Sequence, residues 1–176
     1  MILGIDIDTY KLTLCWWEPD VGQAQWRTAR LREWGSASAL DAVRATPLGL
    51  ANATMGMHAP REVYVERGWG QNRRGEFELG AIFGATIVAI PRVYPGAHVD
   101  WMPTHIWKKA VTAQVGLTTK AGEPGVGNAA KDVTTAAVLA ILGSHDIERN
   151  VTVDECDAFG VAWAAAANWA IPSAAS

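Results

Sequence analysis

Cysteine is nearly absent from this chain. Its two thiols, Cys15 and Cys156, fit neither the paired spacing of a thiolate metal site nor a dense disulfide framework, so reduced packing residues are the expectation. Histidine is equally sparse: His58, His98, His105 and His145 lack the local spacing of a zinc motif. No apolar run approaches the roughly 18 residues of a membrane-crossing helix, and no basic segment with an apolar run and a small-residue cleavage site opens the chain. A cytoplasmic protein with no membrane partner is expected. Excess positive charge is missing too: the formal net charge is −3, which by itself argues against a polyanionic partner.

What is present fits a globular domain. The 176 residues suffice for one full core and not comfortably for two, and 49% apolar with 19% charged residues excludes a disordered chain. A single domain over 1–170 is expected, with 171–176 as a frayed tail. Nine tryptophans are many for this length, and those beside Gly, Arg or Lys are candidates for a stacking or subunit surface. The negative total also hides local basic stretches: Arg73 and Arg74 follow Glu66, and Lys108, Lys109, Lys120 and Lys131 all fall within residues 108–131.

Along the chain, residues 2–7, Leu12 to Trp17 and Gln23 to Arg30 read as three strands joined by short turns, an antiparallel meander. An Ala- and Leu-rich stretch from Ser36 to about Met57 reads as a helix that Pro47 kinks or splits. Arg61 to Glu66 alternates as a fourth strand, and Gln71 to Ile90 becomes small and apolar as a helix lying across the sheet. His98 to Met102 forms a short fifth strand, Pro103-Thr104 opens a helix carrying Trp107 and Lys108, and residues 116–127, rich in glycine, form a loop. Helices follow over Asn128 to Leu142 and Thr152 to Trp169. Strands first, then alternating helix and strand, give an α/β fold: a mixed five-stranded sheet with helices on both faces.

Four acids stand at the edges of these elements. Asp6 lies on the first strand, with Asp8 on the same face. Glu66 closes the fourth strand before Arg67-Gly68-Trp69-Gly70, and Asp154 and Asp157, three apart, share one side of the last helix. Hard divalent cations take oxygen ligands of this kind, and a pair of ions about 4 Å apart can activate water against a phosphodiester.

ILGIDIDTYKLTLCWW, VYVERGWGQNRRGEFELGAIFGATIVAI, HIWKKAV and VDECDAFGVAWA together resemble the RuvC family of Holliday junction resolvases, of the ribonuclease H-like superfamily. The resemblance implies a ribonuclease H-like five-stranded mixed sheet and a catalytic, metal-binding set at Asp6, Glu66, Asp154 and Asp157. It implies two Mg²⁺ ions per site, with Mn²⁺ as a substitute. The implied activity is a homodimer's symmetric nicking of four-way DNA junctions, leaving 5′-phosphate and 3′-hydroxyl ends. Lys108 stands where the family has a catalytic basic residue near the scissile phosphate, and Lys131 matches a second one, with Lys109 or Lys120 able to substitute. Trp69 stands where an aromatic residue reaches the junction centre, and Arg73 and Arg74 are further candidates for DNA contact. The family usually has Pro-Gly after its first aspartate; this chain has Ile7-Asp8, leaving Asp8 as an accessory acid or a bystander. Such divergence looks like a bacteriophage-encoded relative acting in a bacterial cell. A fork, flap or other branched-DNA endonuclease, or an RNA–DNA hybrid ribonuclease, shares the same acids. An actin-like ATP-binding domain shares only the GIDIDTY opening, without the second lobe it needs.

Overall fold

A computed structural model describes residues 1–31, 39–67, 73–117, 127–147 and 149–167 of the chain. Three strands, β1 (Ile2–Asp8), β2 (Lys11–Glu18) and β3 (Gln23–Arg30), form the meander. The helix α1 (Ala39–Thr54) leads to β4 (Glu62–Arg67), α2 (Arg73–Val93), β5 (His98–Pro103) and α3 (Thr104–Gln114), and α4 (Gly127–Ser144) and α5 (Val153–Ala166) close the fold. The five strands make one sheet in the order β3-β2-β1-β4-β5. The β1–β2 and β2–β3 pairs are antiparallel and the β1–β4 and β4–β5 pairs parallel, so the sheet is mixed as the element order implies.

Strand alternation divides the core into two layers. Leu3, Ile5, Leu12, Leu14 and Trp16 turn to one face, where they pack with Leu50 of α1 and Ile82 and Ile90 of α2. Ile2, Cys15, Trp17 and Met102 turn to the other and meet Trp107 of α3, Val138 of α4 and Phe159 of α5. β1 over Ile2–Asp6 and β2 over Leu12–Trp17 are buried on both sides, as central strands between two helical layers must be. Trp16 and Trp17, adjacent in sequence, fill opposite cores, and both cysteines are free and buried. Among the described residues no helix is long and apolar enough to cross a membrane.

Pro47 does not split α1, which runs on through the proline as one element. Ala42, Ala45, Leu50 and Ala53 form one buried stripe along it, and Thr46 and Thr54 turn their hydroxyls back to donate to the Ala42 and Leu50 carbonyls. Packing of that stripe outweighs the one backbone hydrogen bond that proline removes. Residues 118–126 of the glycine-rich stretch, and the expected tail at 171–176, lie outside the described residues.

Two glycines bring the helices onto the strand that carries Asp6. A Cβ at Gly4 would stand 2.2 Å from the Ala158 carbonyl oxygen and 2.7 Å from the Ala162 nitrogen, both backbone atoms of α5. One at Gly160 would stand 2.5 Å from Cε3 and Cζ3 of the Trp107 ring. The first contact is backbone on backbone and has no flexible end to move aside. Gly4→Ala is therefore expected to cost about 3 kcal/mol of stability by urea denaturation, at the upper end for overpacking. A loss below about 0.5 kcal/mol, the scale of an ordinary surface change, would mean that α5 is not seated on β1 in this way.

Candidate metal centre

Asp6 shares the face of β1 that Gly4 turns toward α5, because residues two apart in a strand point the same way. The parallel register sets Ile5 against Val65, so the next residue on each strand, Asp6 and Glu66, come side by side. On the helix, Thr152 caps α5 with a reciprocal capping box: its side chain accepts from the Glu155 N–H, and the Glu155 carboxylate accepts from the Thr152 N–H. Trp26 of β3 donates to the Glu155 carbonyl at 3.0 Å, and Arg149 pairs with the Glu155 carboxylate while covering the Trp26 ring. The start of α5 is thereby pinned to the sheet, and Asp157 enters from its first turns.

Asp6, Glu66 and Asp157 each offer a carboxylate oxygen, and those oxygens all lie within 4.8 Å of one another. Asp6 and Glu66 are only 8% and 7% exposed, so water screens their repulsion poorly. Burial, then the charge of Glu66 and its hydrogen bond, then Asp157 and Asp154, push the Asp6 pKa well above the usual aspartate range. In the absence of a cation, Asp6 therefore holds a proton more tightly than an ordinary aspartate. A hard divalent ion relieves the same strain better, since three oxygen donors with no thiolate or imidazole suit Mg²⁺ or Mn²⁺. The donor set therefore fits the metal that the sequence resemblance implies.

The remaining site residues fall around this cluster. Asp154 stands on the same side of α5 as Asp157, but its Oδ2 is 2.6 Å from Nζ of Lys11. Asp8 lies outside the three-acid cluster: it accepts from the Thr9 N–H and sits 3.7 Å from the same ammonium. Lys108 is half-buried, with Nζ 5.1 Å from the centroid of the Trp107 ring, while Lys109 is exposed. Trp69 and Lys120 lie outside the described residues, as do the side chains of Arg73, Arg74 and Lys131.

Two residues at the site escape the sequence reading. Trp107 donates its indole N–H to Glu66 Oε1 at 3.1 Å, fixing the carboxylate from below. Lys11 reads as a turn residue, yet the β1–β2 register sets it directly opposite Asp8. The signal for Lys11 was available in that tight turn; for Trp107, a helix residue far along the chain, no local pattern pointed to Glu66.

By sequence, no protein-family model and no curated protein matches the chain. Solved structures do. RuvC of Thermus thermophilus in complex with a Holliday junction substrate superposes with a TM-score of 0.63 at 19% identity, covering 95% of this chain and 92% of that one. The chain shares the fold of that structure. A second Thermus thermophilus RuvC structure gives 0.62 at 20% identity, over 95% of this chain and 93% of its own. The yeast mitochondrial Holliday junction resolvase Ydc2 gives 0.53 at 11% identity, over 92% of this chain and 75% of that one. The ribonuclease H-like architecture expected from the sequence is therefore the one observed.

The raised Asp6 pKa has a definite sign for stability. The folded state holds the proton more tightly than the unfolded chain, so this group favours folding at low pH. That contribution is lost as pH climbs from the ordinary aspartate range through the folded value. In metal-free protein at neutral pH, Asp6→Asn should raise the melting temperature and abolish the further rise that Mg²⁺ gives the parent chain. Thermal melts with chelator and with Mg²⁺ check both, and an Asp6→Asn chain less stable than the parent in chelator would contradict the repulsion. Trp107→Phe removes one donor to a buried carboxylate and should cost about 1.5–3 kcal/mol by denaturation; an unchanged midpoint would refute the bond to Glu66.

Proposed function

We propose that the chain is a Mg²⁺-dependent, structure-selective DNA endonuclease that resolves four-way junctions. The observation that carries the reading is the cluster of Asp6, Glu66 and the half-buried Asp157 where β1, β4 and α5 meet, in a fold shared with RuvC. Asp6, Glu66 and Asp157 hold the ion, with Asp154 beside them. A bound Mg²⁺ supplies Lewis-acid polarisation of the phosphodiester and activation of the attacking water. Trp107 holds Glu66 in its ligating orientation, and Lys108, steadied over the Trp107 ring, offers a positive charge to the scissile phosphate. The products are a 5′-phosphate and a 3′-hydroxyl.

Junction selectivity rests on the DNA-facing residues and on pairing of two sites. Trp69 stacks on an unpaired base at the crossover, while Arg73, Arg74, Lys109, Lys120 and Lys131 contact phosphates and confer salt-dependent affinity. A homodimer spaces two active sites for symmetric nicking. Its support is the outer stripe of α2, where Phe77 and Val88 are 77% and 62% exposed and Cβ positions at Gly80 and Gly84 meet nothing within 4 Å. These four lie on one helical face, open enough for a second copy to approach closely. The setting we infer is the cytoplasm of a bacterial cell, with the gene carried by a bacteriophage.

The test is cleavage of an end-labelled mobile four-way junction beside a fork, a linear duplex and an RNA–DNA hybrid, all with Mg²⁺. Paired symmetric nicks that DNA ligase can reseal are expected. Asp6→Asn and Glu66→Gln should each lower cleavage by roughly a thousandfold, the scale of several kcal/mol of lost metal stabilisation, with junction binding intact. Faster cutting of the fork or the hybrid would move the function to those substrates, and retained cleavage in either variant would refute the site. Trp69→Ala should impair junction cleavage more than binding to linear duplex, in line with about 1–3 kcal/mol per stacked base; equal losses on both would remove Trp69 from the crossover.

A further inference from the structure

We infer that Lys11 is a built-in cation of this site: its ammonium holds Asp154 in place of a second divalent ion, so that one ion, on Asp6, Glu66 and Asp157, completes the centre. The inference rests on the metal-dependent reading above and changes the ion count expected for it.

The geometry starts in the tight β1–β2 turn. Asp8 and Lys11 are cross-strand partners, so their side chains leave the sheet on the same face. That face is shared with Asp6 by strand alternation and is the one α5 covers. Lys11 thus enters the site from its outer rim. Its Nζ lies 2.6 Å from Asp154 Oδ2 and 3.7 Å from Asp8 Oδ2, which makes Asp154 the principal partner and Asp8 a supporting charge. The Lys11 and Asp154 side chains are each 33% exposed, so the contact is only partly screened by solvent.

The same arrangement divides the acids into two groups. Three carboxylates converge on one point, and that group does not include Asp154. A divalent ion placed on Asp154 would have to displace the ammonium from a direct, charge-assisted hydrogen bond, or tolerate it as a neighbouring positive charge. Neither is favourable while Lys11 stays. With it, Asp154 is already neutralised where a phosphate must approach, which is part of what a second ion would otherwise do.

Mn²⁺, titrated into the metal-free full-length chain, counts the ions by calorimetry, and electron paramagnetic resonance reads whether bound ions are coupled. The parent chain should bind one Mn²⁺ with an uncoupled spectrum, and Lys11→Arg should do the same. Lys11→Met should bind two, with a spin-coupled spectrum. Its first ion should bind roughly tenfold more tightly, the order expected when one positive charge a few ångströms from the ion is removed. Asp157→Asn should lose the parent's single ion. Two ions in the parent would overturn the role of Lys11 and leave the nuclease site standing, whether or not Lys11→Met folds. One ion in both the parent and Lys11→Met would overturn it as well. No bound ion in the parent, or an ion retained by Asp157→Asn, would overturn the three-acid site and this inference with it.

Discussion

The contact on which the site depends is the approach of α5 to β1 at Gly4. With hydrogen in place of a methyl group, the strand lies against the backbone of Ala158 and Ala162. That closeness brings the first turns of α5, and with them Asp157, within reach of carboxylates rooted in two parallel strands. Gly160, between those two alanines on α5, does the equivalent service where its bare backbone admits the Trp107 ring, and Trp107 in turn holds Glu66. Packing and chemistry are therefore continuous: a methyl group on either glycine would displace a ligand, although neither glycine bears one.

Close packing has an electrostatic cost that the fold retains. Three carboxylates at one point, two of them buried, disfavour the folded state unless a proton or a cation offsets them. The capping box at Thr152 and the N-terminal dipole of α5 favour negative charge on its first turns, which eases Asp154 and Glu155 more than the deeper Asp6. The residual strain falls on Asp6, whose pKa is raised by its burial and by its acidic neighbours. A native site that keeps unrelieved charge at the junction of three elements is organised for a ligand that brings the opposite charge.

The fold was largely legible in the sequence because its elements carry clear punctuation. The turns at 9–10 and 19–22, the alternation in β4 and the Thr152 cap each mark a boundary locally, and the register of a meander follows from its short turns. Pro47 misleads because its local effect is opposed by a buried stripe that only the tertiary packing completes. At the site, the acids were legible as residues at element edges. Their division into a converging three and an engaged fourth was not, since it depends on Lys11 reaching from β2 to α5, across 143 positions of sequence. The Trp107 contact spans 41 positions and leaves no periodic trace. Side-chain partnerships of that range are set by which helix lands on which strand, and composition cannot report them.

The net charge of −3 looks unfavourable for a DNA-binding surface until its location is considered. Five of the 18 acidic residues, Asp6, Asp8, Glu66, Asp154 and Asp157, gather in the cluster and its rim, where Lys11 opposes them and a divalent ion would do so further. A divalent ion there would offset most of the local negative charge. Around it, Lys108 is fixed by an aromatic face, and Arg67, at the end of β4 one residue beyond Glu66, lies 4.7 Å from the centroid of the Trp101 ring. Arginine and lysine laid over tryptophan keep their charge while giving up side-chain freedom before any partner arrives. The abundance of tryptophan then acquires a physical reason beyond core volume. Trp16 and Trp17 fill the two cores, whereas Trp26 and Trp101 carry arginines over their rings and Trp107, itself a core residue, carries Lys108. A slightly acidic protein can in this way present ordered positive groups beside a metal centre, and its total charge is a poor guide to the field that a phosphate backbone would meet.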